Sequence, residues 1–217
     1  MNGLLNYTSS TSDAWVDKYR PAILEDTLLP QALKTKLVKY RDTETAPHLL
    51  FYGHPGTGKT TTALTLNPGC HFHFNATGLE ATDLEGSEFR STLSAQRSLG
   101  DEGTRRRVVI LDEADALTER AQQALRSTVE QFASTNWFIF VVNNLGKMIP
   151  ALQSRTISLS YNFLAEQEEM MPLMVERCLA ILKKEQRALP KSEVRQVVTI
   201  HYPDMRAILS QLQFQST

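Results

Sequence analysis

The chain has 217 residues, 41% of them hydrophobic and 22% charged, which suits one globular core of ordinary size with a small appendage. No apolar run approaches the roughly 18 residues that cross a bilayer, and no basic segment leads into an apolar core at the N-terminus, so neither a membrane span nor a secretory signal is expected. The formal net charge of −1 leaves any nucleic-acid binding to a local patch, and Cys70 and Cys178 make no disulfide framework, so a reducing cytoplasm is the expected compartment.

Residues 1–14, rich in Ser, Thr and Asn without an apolar period, are expected to form a flexible arm. Leu33, Leu37 and Tyr40 recur at helical spacing, which predicts a helix over Gln31–Tyr40. Strands are expected at His48–Tyr52, His71–Phe74, Val108–Leu111, Trp137–Val142 and Thr156–Ser160, the third being the least ambiguous because it is a continuous β-branched apolar run. Helix-length segments at Asp83–Gln96 and Thr118–Phe132 lie between them. The class is therefore α/β, a five-stranded parallel sheet with helices on both faces. After Tyr161 the texture turns helical: Ala165–Ala188, Lys191–His201 and Asp204–Gln213, with Pro172 expected to start, kink or split the first. The expected division is a sheet domain over 15–161 and a small helical domain over 162–217.

Gly53-His54-Pro55-Gly56-Thr57-Gly58-Lys59-Thr60 fits G-x-x-x-x-G-K-[ST] between a strand and a helix-competent Thr61-Thr62-Ala63-Leu64. Glycines there let successive backbone N–H groups turn inward on a polyphosphate, with the helix N-terminus adding positive potential. Lys59 would reach the β- and γ-phosphates of ATP and Thr60 would hold Mg²⁺. Gly53, Pro55, Gly56, Thr57, Gly58, Lys59, Thr60 and Thr61 form the expected nucleotide-binding set. Asp112-Glu113-Ala114-Asp115 follows the third strand at the same sheet edge. Asp112 can bind Mg²⁺, directly or through water, and Glu113 can polarise the attacking water. Those letters spell DEAD, yet a helicase of that type needs a second sheet domain for which this chain has no room. Asn143 ends the fourth strand, where its amide either senses the γ-phosphate or simply makes a turn. Arg155 and Arg206 are the candidates for neutralising charge as the phosphate bond breaks.

Cys70, His71 and His73 suggest zinc, but strand alternation separates Cys70 from the histidines. Arg105-Arg106-Arg107 reads as a solvated loop rather than a nucleic-acid contact.

In order, Trp15-Val16-Asp17-Lys18-Tyr19-Arg20-Pro21, the Gly53–Thr60 loop, Val108–Asp115, Asn143, Leu152-Gln153-Ser154-Arg155 and Asp204-Met205-Arg206 resemble the AAA+ ATPase subunits of sliding-clamp loaders. The likeness is to replication factor C small subunits and to the large clamp-loader subunit of T4-like phages. It implies a P-loop AAA+ sheet followed by a helical lid, an ATP hydrolase acting with Mg²⁺, and partners that are other clamp-loader subunits, the sliding clamp and primer-template DNA. It further implies that Lys18, Tyr19, Arg20 and Pro21 line the adenine pocket, that Arg206 and Asn143 sense the chain's own nucleotide, and that Arg155 reaches the ATP of an adjacent subunit. Arg90 and Lys147 match positions that meet DNA, and Leu93 to Leu99 a segment that docks on the clamp. The phage likeness suggests a viral origin, hence host cytoplasm.

The chain departs from the pattern in three places. Thr156 replaces a cysteine after Ser154-Arg155, the stretch from Lys59 to Asn75 is short, so the helix there should be short or distorted, and the sequence given stops after the lid, before a collar domain. A non-hydrolysing scaffold subunit and another AAA+ DNA remodeller stay open as alternatives.

Overall fold

The structure is a computed structural model and describes residues 13–43, 45–67, 71–94 and 106–215. Residues 1–12 of the expected arm, Cys70, Arg105 and the part after Ser94 of the segment expected to dock on a clamp lie outside the described residues.

Five strands, β1 (His48–Tyr52), β2 (His71–Asn75), β3 (Arg107–Asp112), β4 (Asn136–Val142) and β5 (Thr156–Ser160), form one all-parallel sheet in the order β2-β3-β4-β1-β5. The two most apolar runs, β3 and β4, lie side by side in its interior, and every residue of β4 is buried. Alternation sorts each strand between two cores. Leu50, Val109, Leu111, Phe138, Phe140 and Val142 face one, and Leu49, Phe51, Val108, Ile110, Ile139 and Val141 face the other.

Helices cover both faces. On the first lie α4 (Ala81–Glu85), α5 (Ser87–Ser94) and α6 (Glu119–Phe132); on the second lie α2 (Gln31–Arg41) and α3 (Lys59–Thr65). Helix α6 starts where the Thr118 hydroxyl accepts the Ala121 N–H, and it buries Ala121, Ala124, Leu125, Thr128 and Val129, one stripe at helical spacing. Truncating the fully buried Leu125 to alanine would cost about 3 kcal/mol through the cavity left behind. The single helix expected over Asp83–Gln96 is instead two. Gly86 adopts an extended backbone between α4 and α5 and lies so close that a Cβ would stand 3.1 Å from the Thr82 and Asp83 carbonyls. Helix α3, seven residues long, is as short as expected.

Three helices follow the sheet: α8 (Gln167–Lys184), α9 (Lys191–His201) and α10 (Met205–Gln215), after the short α7 (Pro150–Gln153) that precedes β5. Pro172 neither starts nor splits α8, which runs through it. Both Pro172 and Glu168, whose carbonyl loses its helical donor, are on the exposed face, so water can meet that carbonyl. These helices form a third core with Met174, Cys178, Val198, Ile208 and Leu212 at its centre.

That third core also takes in Trp15, only 2% exposed, from α1 (Trp15–Lys18). The Trp15 N–H donates to Gln213 Oε1 at 3.0 Å, and the Arg187 guanidinium stands 5.2 Å over the indole. The beginning of the chain is thus packed among its last helices, 198 residues away in sequence. No described helix is long and apolar enough to cross a membrane.

A candidate nucleotide site

Parallel strands carry their chemistry at the carboxyl edge, and here β1, β3 and β4 deliver the Gly53–Thr60 loop, the acid box and Asn143 to one cavity of about 370 Å³. The loop turns through Gly56 (φ +72°) and Gly58 (φ +88°), and Gly58 serves as the N-cap of α3. Lys59 is 6% exposed, and its ammonium donates to the carbonyls of Gly53 (2.8 Å) and His54 (2.7 Å) and to Asn143 Oδ1 (3.0 Å). Burial pushes its pKa down to about 8, with Asp112 and Asp115 pulling the other way. A cation buried at the base of a glycine cradle, ahead of a helix N-terminus, suits a polyphosphate.

Asp112 ends β3. Burial alone would raise its pKa, but hydrogen bonds from His73 and Thr60 outweigh that and hold the carboxyl below its ordinary value. The His73 imidazole, on β2, meets Asp112 Oδ2 at 3.4 Å. An ionised carboxylate and the adjoining Thr60 hydroxyl are a hard oxygen pair fit for Mg²⁺. Among the described residues no group of three His, Cys, Asp or Glu forms a metal cluster, so a zinc site at His71 and His73 gains nothing.

Glu113 is held in the left-handed region (φ 55°), a strained setting for a residue with a Cβ, and its carboxylate accepts the Thr77 hydroxyl. Asp115 Oδ2 accepts the N–H groups of Asn143 (3.3 Å) and Asn144 (3.0 Å), tying the end of β4 to the acid box. Asn143 therefore belongs to the site, bonded on one side to Lys59 and on the other to Asp115.

The far wall is apolar: Val16, Tyr19, Pro21, Leu28, Ile181 and Leu209 line a slot suited to a planar base. Arg20 lines the cavity too, braced by Asp17 at 2.8 Å. Lys18, expected beside them, lies outside the lining because its ammonium turns to Glu185 at 2.6 Å. Tyr19, Arg20 and Pro21 all line the cavity while Lys18 does not, a difference that the run Lys18–Pro21 does not reveal.

Arg206 lines the same cavity from the first turn of α10. The lid is joined to the loop directly: the Met205 N–H donates to the Gly56 carbonyl at 3.1 Å. Asp204 caps α10 by accepting the Ala207 N–H at 2.9 Å, and its carboxylate lies where a Gly56 Cβ would be, 1.7 Å from that point.

Arg155 is elsewhere. It precedes β5, whose Thr156 pairs with His48 at the start of β1, whereas the phosphate loop leaves the end of β1. About 13 Å of strand separates those levels, so Arg155 stands at the opposite edge of the sheet from the chain's own cradle. Arg90 and Lys147 are also apart from each other. Arg90 donates to Gln131 Oε1 at 3.3 Å near the end of α6, while the Lys147 carbonyl accepts from Gln122 near its start, about 13 Å along the helix. Leu93 is fully buried in the sheet core, not available to a partner. The reading of Arg105–Arg107 as a solvated loop is corrected for its described residues: Arg106 donates to the Ala46 and Ala133 carbonyls, and Arg107 is a buried strand residue bonded to the Leu93 carbonyl at 2.8 Å.

Sequence reading passed over Thr77 and Gln122, weighed His73 only for zinc, and quoted Asp115 and Asp204 within motifs without giving either a role. Asp204 carried a signal, an acid immediately before an apolar helix. Gln122, 2% exposed, bonds to Leu117, Lys147 and Ile149 and so ties α6 to the turn after β4, but a glutamine inside a polar-looking helix gave no hint of it.

A family model described as "ATPase family associated with various cellular activities (AAA)" matches residues 49–161. Replication factor C subunit 5 of Homo sapiens is 35% identical over 207 residues, 92% of this chain and 59% of that protein. The replication factor C small subunit of Sulfolobus acidocaldarius is 33% identical over 204 residues, with shares of 92% and 61%. The chain thus spans about three fifths of the length of these relatives. Among solved structures, the Holliday junction branch migration motor RuvB of Thermotoga maritima superposes with a TM-score of 0.62 at 18% identity, covering 90% of this chain and 72% of that one. A variant of it gives 0.70, also at 18%, over 89% and 64%. At that identity the likeness concerns the fold.

Proposed function

We propose, from the premise that this chain belongs to the AAA family of ATPases, that it binds and hydrolyses ATP with Mg²⁺ as one subunit of a sliding-clamp loader. The observation that carries this is convergence: the Trp15–Pro21 opening, the phosphate loop, the acid box, Asn143 and the Asp204–Arg206 turn, drawn from both ends of the chain, reach one cavity. The similarity to replication factor C subunits, which spans 92% of the chain, supports the same reading.

In this reading the loop N–H groups and Lys59 hold the β- and γ-phosphates, and the base enters the slot beside Tyr19 and Pro21. Thr60 and Asp112 would hold Mg²⁺, which supplies charge neutralisation across the phosphates. Glu113, once clear of Thr77, polarises the attacking water, and Asn143 orients it. Arg206 acts on the chain's own nucleotide. Arg155, too far from that nucleotide, serves the site of an adjacent subunit, so each complete site is shared between two chains. Arg90 and Lys147 are proposed to meet DNA from two ends of α6. ATP binding then orders several subunits around primer-template DNA with the clamp held open, and hydrolysis releases both.

The test is ATP turnover with the chain's partner subunits, its clamp and primed DNA combined. Strong stimulation over the isolated chain is expected; no stimulation with the full set would refute the proposal.

A further inference from the structure

The Arg155 guanidinium is held on one side. Its Nε donates to Glu130 Oε1 at 2.7 Å, one Nη pairs with the same carboxylate, and the other donates to the Ala151 carbonyl at 2.7 Å. The Arg155 side chain keeps 31% exposure. Glu130 also meets Arg126 Nε at 3.5 Å, one turn back on α6. Two guanidinium groups against one carboxylate leave this cluster with a charge of +1. The pairing orients Arg155 without cancelling its attraction for an anion.

We propose that Glu130 is a positioning residue for Arg155, fixing the guanidinium so that its remaining N–H donors are aimed at the triphosphate on the adjacent subunit. This rests on the reading of Arg155 as a group that acts across a subunit interface. A free arginine loses its rotamer freedom at the moment of capture, whereas one already held by a carboxylate and a backbone carbonyl has lost much of it beforehand. An exposed ion pair is too weak to withhold the arginine from a triphosphate, so the contact aims the group and does not lock it away. Glu130 also stands on a firm base. Helix α6 begins just after the acid box and packs along the sheet, so the residue that aims Arg155 is carried on a rigid element.

The experiment uses the complex recovered from its source cell through a tag on this chain. Glu130→Ala is expected to lower turnover per site about tenfold with KM for ATP within twofold, and Glu130→Gln, whose amide oxygen still accepts from Nε, to keep at least half. In an Arg155→Ala background, Glu130→Ala should have no further effect. If Glu130→Ala raises turnover, the pair is a restraint and the proposal is overturned; unchanged turnover beside an impaired Arg155→Ala overturns it as well. If Arg155→Ala itself changes nothing, the interface reading fails, and that outcome is distinguishable from failure of Glu130 alone. In the isolated chain, the Arg155 Nε–H resonance should exchange slowly with solvent in the parent and in Glu130→Gln, and rapidly in Glu130→Ala. Unchanged nucleotide affinity there verifies that the variants are folded; rapid exchange already in the parent would overturn the proposal.

Discussion

Gly56→Ala is expected to disturb the lid as well as the loop. An alanine at φ +72° pays about 1–2 kcal/mol of left-handed strain. Its Cβ would also fall 1.7 Å from Asp204 Oδ1, so Asp204 must swing away and give up the Ala207 N–H it caps, worth about 1 kcal/mol. The sum, about 2–3 kcal/mol against the nucleotide-binding arrangement of loop and lid, corresponds to roughly thirty- to a hundred-and-fifty-fold weaker nucleotide binding. Gly58→Ala is the control, because at φ +88° it carries similar strain yet its Cβ meets nothing within 4 Å. It should lose only about five- to thirtyfold. Asp204→Ala alone should cost the cap, and added to Gly56→Ala it should cost nothing more, since the cap is already gone. Fluorescent-ATP titration measures the affinities, and hydrogen exchange at Ala207 reports the cap. Equal losses at Gly56 and Gly58, or effects of Gly56→Ala and Asp204→Ala that simply add, would refute the coupling of loop to lid.

Glu113→Gln should leave nucleotide affinity within about threefold while turnover of the assembled complex falls by about a hundredfold or more, checked by titration and single-turnover hydrolysis. Trp15→Ala should destabilise the helical core by about 3–5 kcal/mol and weaken nucleotide binding through loss of the Tyr19–Pro21 wall; protection in β3 and β4 should outlast that in α8–α10 in hydrogen exchange. Burial, assisted by the charge of Arg106, holds the His48 pKa at about 4 against an ordinary 6.5. The unfolded chain therefore takes up a proton that the folded chain declines, so stability is full above pH 6.5 and falls as pH drops toward 4. The gap is worth about 3 kcal/mol at most, and about half that once partial exposure is allowed for. Melting at pH 7.5 and pH 5 should show a larger drop for the parent than for His48→Asn, which keeps an acceptor for the Phe138 N–H.

The inner strands β1, β3 and β4 were legible because each contains a continuous apolar run, and β5, where polar and apolar residues alternate, also falls on the residues expected of it. Helix α6 was legible for a different reason, since Thr118 marks its start and its stripe its buried face. The break at Gly86 was not, because a single glycine inside a helical pattern is usually tolerated and only its close approach to α4 shows why the chain bends there. At the site, the loop and acid box carry their spacing in the sequence. The packing of Trp15 among α8–α10 does not, because it joins segments 198 residues apart and no local period encodes that contact. Nor could Lys18 be told from Tyr19, since which of two neighbours faces a cavity depends on the turn that holds them.

The opposition of cradle and Arg155 across the sheet has a geometric consequence for any assembly built on it. If Arg155 serves a neighbour's nucleotide as proposed, one end of the sheet would offer a socket and the other a plug, so contacts between copies or close relatives would be head-to-tail and carry a direction. Such contacts close into a ring only if the rotation between neighbours divides a full circle; otherwise they wind into a spiral. In an open arc of n chains there are then at most n − 1 completed sites. The chain at one end displays an arginine with nothing to complete, and the chain at the other holds a nucleotide that nothing completes. Even a row of identical sequences would therefore have two chemically different ends.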